Sequence, residues 1–226
     1  MSKPLRILFT FLVGSLFFII LPIAGWGVMD LNGFFAGEAR LVFVALVCVL
    51  NAFAAIRIPE IGKKREEEKT SVKRQHFAVT MFQVLSISLV IVAPFSDRRE
   101  IAVIGGGESI RFAGLLLYCG GFLLMHFAEW YLGKHFSVEV AVQHDHSLVM
   151  NGPYRYLLHP RYLGMILFTS GIALVFRSWI GLGLAGVTLV VLFWRIFDEE
   201  SFMRQEFGAE WEEYAKKRWR LIPFVY

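Results

Sequence analysis

Long apolar runs separated by short polar segments dominate the chain, at about 6–28, 38–58, 76–95, 110–132, 161–176 and 179–197. Each of the first four has about the 20 residues needed to cross the ~30 Å hydrocarbon core of a bilayer. The last two belong to one apolar stretch, Tyr162 to Phe197, with its polar break at Arg177-Ser178. That stretch is too long for one crossing and just long enough for a tight helical hairpin turning at Arg177-Ser178. The pattern predicts an all-α integral membrane protein of about six transmembrane helices, the last two forming the hairpin. Beyond them, Met203, Phe207, Trp211 and Tyr214 recur at spacings of four, four and three, while Glu206, Glu210, Glu213 and Lys217 fall largely on other faces. Such spacing marks one side of a helix. Residues 198–218 are therefore expected as a cytoplasmic amphipathic helix, in the interface or packed over the cytoplasmic mouth.

Composition agrees: 56% of the 226 residues are hydrophobic and 19% charged, against roughly half and a quarter in soluble domains. The net charge of +4 does not argue for nucleic acid, because the basic residues sit in short segments between apolar runs, where the positive-inside rule places them. The most basic loop carries Arg57, Lys63, Lys64, Arg65, Lys69, Lys73 and Arg74. It is expected to be cytoplasmic, which puts Lys3, Arg6, segment 133–160 and the C-terminal tail on the same side. The loops Met29–Gly37 and Ser96–Ser109 then lie outside, with Arg98 and Arg99 counting mildly against the second. The run Ile7–Ala24 is long for a signal sequence and lacks a clean small-residue cleavage site, so it reads as a retained helix. Cys48 and Cys119, both inside apolar runs, read as small core hydrophobes.

Polar residues at membrane depth are the candidates for chemistry. His126 and Glu129, spaced i, i+3 near the end of the fourth run, can pair with each other at the interface. Segment 133–160 holds His135, His144, His146 and His159. Their spacing lacks the cysteine or carboxylate partners of a tetrahedral zinc set, so no metal is expected. Asn151-Gly152-Pro153 signals a turn, and Pro160 suits the first position of a helix, leaving His159 at its mouth. From His159 to Arg177 is 18 residues, roughly 27 Å of helix, and the return to Asp198 is similar. The hairpin therefore brings Arg195, Glu199 and Glu200 back to the depth of His159.

The stretch His146-Ser-Leu-Val-Met-Asn-Gly-Pro-Tyr-Arg-Tyr-Leu-Leu-His-Pro-Arg-Tyr-Leu-Gly164 resembles the signature of the isoprenylcysteine carboxyl methyltransferase family. The block from Arg195 to Tyr214, ending in Ile222-Pro223, resembles that family's C-terminal block. The likeness covers about residues 130–226, and phospholipid and small-thiol methyltransferases share much of it. It divides the chain into N-terminal transmembrane helices, 1–110, and a methyltransferase-like region, 111–226. The resemblance implies methyl transfer from S-adenosylmethionine at the cytoplasmic face. It implies cofactor contacts from His146, Ser147, Leu148, Val149, Tyr154, His159, Pro160, Arg161, Tyr162 and Glu199, and a substrate-holding role for Arg195. Where the family usually has Arg before His-Pro, this chain has Leu158, with Arg155 and Arg161 nearby.

These residue types suit that chemistry. A sulfonium is a cation that carboxylates and aromatic faces stabilise. A carboxylate acceptor needs alignment rather than a base, whereas an amine or thiol needs a base, for which His159 or Glu200 could serve. The expected partner is a lipidic or prenylated acceptor entering sideways from the bilayer. Alternatives are a phospholipid N-methyltransferase, a small-thiol S-methyltransferase and a NADPH-dependent membrane reductase. A transporter is disfavoured, since no span shows paired charges at its midpoint.

Overall fold

A computed structural model describes residues 3–56, 73–133 and 148–225. The principal helices are α1 (Lys3–Trp26), α2 (Leu31–Ala36), α3 (Glu38–Ile56), α4 (Lys73–Arg98), α5 (Gly107–Leu132), α6 (Pro160–Val175), α7 (Trp179–Phe207) and α8 (Ala209–Lys216). Five of them (α1, α3, α4, α5 and α7) are long and apolar enough to cross a membrane, and the chain is a multi-pass membrane protein. The sixth expected span is α6, whose 16 residues rise only about 24 Å, short of a full crossing on its own.

The hairpin turn falls where the apolar stretch breaks. Arg177 adopts a left-handed φ of 44°, and the Ser178 hydroxyl accepts from the Gly181 N–H at 2.9 Å, capping α7. The turn is braced by the α4–α5 loop. Ile104 N–H donates to the Arg177 carbonyl at 2.6 Å, and Trp179 N–H to the Ala102 carbonyl at 3.0 Å.

One expectation needs correction. Residues 198–218 do not form a separate amphipathic helix. Helix α7 continues through Phe207 and stops at Gly208, whose φ of 51° suits a residue without a Cβ, and α8 follows. The apolar face is as expected, but it is folded inward: Trp211, Tyr214, Met203 and Phe207 pack with Leu158, Leu148 and Met150.

Helices α5 and α6 run antiparallel with their backbones almost touching. A Cβ on Gly171 would meet the Gly114 carbonyl at 2.8 Å and the Tyr118 amide, and one on Gly121 would meet the Gly164 carbonyl at 2.6 Å. Lipid tails are as apolar as leucine, so close packing through small residues is what holds membrane helices together. Gly171→Ala should therefore cost about 1–3 kcal/mol through overpacking. Gly183→Ala, where an added Cβ meets nothing within 4 Å, should leave stability unchanged or raised. Thermal unfolding of the two variants in one detergent would separate them; equal midpoints would refute the account.

The arms of this bundle meet at two polar ends. At the end formed by the α6–α7 turn, Asp97 is buried among three arginines. Arg111 grips it with two bonds of 2.6 and 2.8 Å, Arg177 approaches at 3.3 Å and Arg40 at 3.6 Å. Arg111 also donates to the Val175 carbonyl at 2.7 Å, and Arg40 to the Phe34 carbonyl at 2.8 Å. One carboxylate thus ties α3, α4, α5 and the hairpin turn together. The opposite end holds the residues singled out for chemistry.

Candidate active site

His159 precedes α6 as its N-cap residue, and Pro160 occupies the first turn, where a missing N–H leaves nothing unsatisfied. Helix α7 returns to the same depth carrying Arg195, Glu199 and Glu200. The rise per residue of the two helices places them together, as the sequence count expects. The contacts are direct. His159 Nε2 lies 3.4 Å from Glu200 Oε1, and its Nδ1 lies 4.0 Å from Glu199 Oε2. The Tyr162 hydroxyl donates to Glu199 Oε2 at 2.7 Å and accepts from Arg195 Nε at 2.7 Å. The His159 and Tyr162 rings are stacked, 5.5 Å apart at 17°.

The two adjacent carboxylates differ in environment. Glu200 is 2% exposed and is held by two cations, Arg220 Nε at 3.1 Å and Arg204 at 3.4 Å, besides its contact with the His159 imidazole. A buried carboxylate is tolerable only with such partners. Glu199 keeps 32% of its side chain exposed while Tyr162 holds one of its oxygens. The pair therefore presents one carboxylate committed to the protein and one open to a visiting cation.

Around this centre, the tail closes over the segment before α6. Leu158 N–H donates to the Trp219 carbonyl at 2.9 Å, His159 N–H to the Arg220 carbonyl at 3.0 Å, and Trp219 N–H to the Tyr156 carbonyl at 3.2 Å. The Tyr154 carbonyl accepts from the Tyr214 hydroxyl at 2.9 Å and from Arg218 Nε at 3.1 Å. Leu221 is fully buried against Tyr162, Met165, Leu192 and Ile196. Burial, with the Glu199 charge adding to it, pushes the Tyr154 phenol well above its ordinary pKa. Burial likewise pushes Tyr214 up to about 12, so both remain neutral donors at physiological pH.

The other expected site residues are distributed as follows. Arg161 Nε pairs with Glu129 Oε1 at 2.9 Å, and Glu129 also holds His126 at 2.9 Å. The His126–Glu129 pair legible in the sequence thus becomes a three-member link between α5 and α6. Leu148 lies in the apolar cluster with Leu158, Trp211 and Tyr214, and the Val149 carbonyl lies 3.4 Å from the Tyr214 hydroxyl. His146 and Ser147, like His135, His144 and most of the basic loop 57–74, lie outside the described residues. Arg220, Arg204 and Arg218 were not anticipated. Arg204 lies one helical turn after Glu200, a spacing that signals an ion pair. Nothing local marks Arg220, because its approach depends on how the tail folds back.

Residues 110–210 match the phospholipid methyltransferase family. A probable protein-S-isoprenylcysteine O-methyltransferase of Oryza sativa subsp. indica is 29% identical over 123 residues, 51% of this chain and 62% of that protein. The protein-S-isoprenylcysteine O-methyltransferase of Schizosaccharomyces pombe is 33% identical over 110 residues, 47% of each chain. The C-terminal half resembles the isoprenylcysteine carboxyl methyltransferases. The match spans less than two thirds of the length of these relatives. A solved structure of a eukaryotic intramembrane Ras methyltransferase, isoprenylcysteine carboxyl methyltransferase, covers 99% of this chain with a TM-score of 0.50 at 18% identity. At that identity the likeness is one of fold: the membrane fold of the isoprenylcysteine methyltransferases extends over the N-terminal helices as well. Both blocks that carry the sequence resemblance meet at the His159–Glu200 centre.

Proposed function

We propose that the chain is a membrane S-adenosylmethionine-dependent methyltransferase that methylates the carboxylate of a lipidic or prenylated acceptor at its cytoplasmic face. The observation that carries this reading is the split between the two carboxylates. Glu199, open and steadied by Tyr162, suits a cationic ligand, while buried Glu200 is already paired with Arg204 and Arg220 and bonded to His159. The donor set fits the cofactor: an open carboxylate and the buried aromatic rings of Tyr154 and Tyr162 beside it. In the wall built by Leu148, Leu158 and Tyr214, the buried Trp211 indole N–H has no hydrogen-bond partner among the described residues. Glu199, Tyr154, His159 and Tyr162, with the segment His146 to Val149 and Pro160-Arg161, would hold S-adenosylmethionine. When bound, it supplies an electrophilic methyl group on a sulfonium.

The protein's part is alignment. With S-adenosylmethionine held there, the chemistry it would supply is alkylation of an acceptor carboxylate already in its anionic form. No proton moves, so no general base is required. Arg195, buried and hydrogen-bonded to Tyr162, would orient the acceptor carboxylate, for which a guanidinium fork is well shaped. Tyr162, bonded to both Arg195 and Glu199, fixes the acceptor group relative to the cofactor group. Holding two reactants in near-attack geometry is worth several kcal/mol.

The test is calorimetric binding of S-adenosylmethionine to purified protein, wild type beside Glu199→Ala and His159→Ala. Micromolar binding that both substitutions abolish is the expected result. Folded wild type that binds NADPH and not S-adenosylmethionine would replace this reading with the reductase.

A further inference from the structure

We propose that Arg220, on the C-terminal tail, is a positioning residue of this site, acting through Glu200 on His159. The proposal rests on the methyltransferase reading and adds to it a residue from beyond the last helix.

Three observations converge. First, the tail is fixed to the mouth of α6 by main-chain bonds that do not involve the Arg220 side chain. These run from Leu158 and His159 N–H groups to the Trp219 and Arg220 carbonyls, and the Leu157–Trp219 pair forms a parallel bridge. Leu221 is anchored in the core beside Tyr162. The backbone at position 220 is thus held in register with His159 whatever side chain it carries. Second, Arg220 Nε and His159 Nε2 approach the same oxygen, Glu200 Oε1, at 3.1 and 3.4 Å. The guanidinium fixes how that carboxylate faces the imidazole. His159 in turn stacks on Tyr162, the ring that joins Arg195 to Glu199. Third, Leu158, the residue before His159-Pro160, is turned away into the apolar cluster with Trp211 and Tyr214. Position 158 therefore supplies no cation, and the arginines on Glu200 come from α7 and the tail.

A carboxylate that loses one of its cations is free to turn toward those that remain. With Arg220 removed, Glu200 would swing toward Arg204, its neighbour one helical turn on, and His159 would lose its alignment. The effect should exceed that of trimming an exposed side chain, because misplacement of about 1 Å at a reacting centre costs on the order of 100-fold.

The experiment is a double-mutant cycle on the full-length purified chain with Arg220→Ala, Glu200→Gln and both. S-adenosylmethionine affinity is read by calorimetry, kcat is read with a farnesylated cysteine analogue, and thermal midpoints are recorded. Arg220→Ala is expected to lower kcat about 10- to 100-fold, with a small shift in melting. In the Glu200→Gln background it should add little, because coupled residues are non-additive. Arg220→Lys, which keeps the charge, should recover most of the activity and Arg220→Gln little of it. These last two variants decide the matter if Arg220→Ala does not purify folded. Wild-type kcat in Arg220→Ala, additive losses in the cycle, or equal kcat for the Lys and Gln variants would overturn the proposal. A wild type that fails to bind S-adenosylmethionine would instead overturn the underlying methyltransferase reading.

Discussion

Asp97→Ala is expected to lower stability by about 3–5 kcal/mol, the range for removing one partner from a buried ionic group. The side chain is 1% exposed and serves Arg111, Arg177 and Arg40 together. Without it, three guanidinium groups are left close together at the membrane boundary, with Glu108 on Arg111 the remaining carboxylate of that network. The four elements it joins would separate at that end. Asp97→Asn, which keeps the volume and one acceptor, should fall between. Loss of the exposed Arg98–Asp30 pair, 2.8 Å long, should cost no more than about 1 kcal/mol. Thermal unfolding in detergent distinguishes the cases. The Asp97 variants that remain folded should still bind S-adenosylmethionine, since the network lies at the end of the bundle opposite His159. A wild-type midpoint for Asp97→Ala would show that the network carries no stability.

Arg195→Ala is expected to lower kcat by about 100- to 1,000-fold, comparable to losing one preorganised donor aimed at a reacting oxygen. Cofactor affinity should suffer less, because Tyr162 retains its bond to Glu199. Arg195→Lys should rescue poorly: an ammonium is a point charge on a flexible stem and does not reproduce a planar two-point grip on a carboxylate. Steady-state methylation of a farnesylated cysteine analogue at saturating S-adenosylmethionine measures this. Near-wild-type turnover in Arg195→Ala would remove the residue from the acceptor site.

The parts of this molecule that were legible in the sequence depend on local composition or on counting along a helix. Apolar runs located α1, α3, α4 and α5, and the break at Arg177-Ser178 located the hairpin turn. A fixed rise per residue then returned Arg195, Glu199 and Glu200 to His159. What was not legible depends on packing between distant elements. The arginines around Asp97 come from α3, α5 and the α6–α7 turn, and nothing in a loop that also carries Arg98, Arg99, Glu100 and Glu108 marks Asp97 as the carboxylate they would surround. The Gly114, Gly121, Gly164 and Gly171 contacts bring α5 and α6 together, and no single run reveals which glycines will face each other. Periodicity marks the apolar face of residues 198–218 but not its division between α7 and α8. A single glycine in a left-handed conformation ends α7, and periodicity is blind to it.

The pairing of residues 156–159 with 219–220 also bears on events during synthesis. Among the described residues the membrane-crossing helices all precede the tail, so the ribosome makes them before Trp219 and Arg220. Until then, the His159 amide lacks its partner and Glu200 lacks one of its cations. The polar centre thus cannot close on a nascent chain that lacks Trp219 and Arg220, whatever the state of its spans.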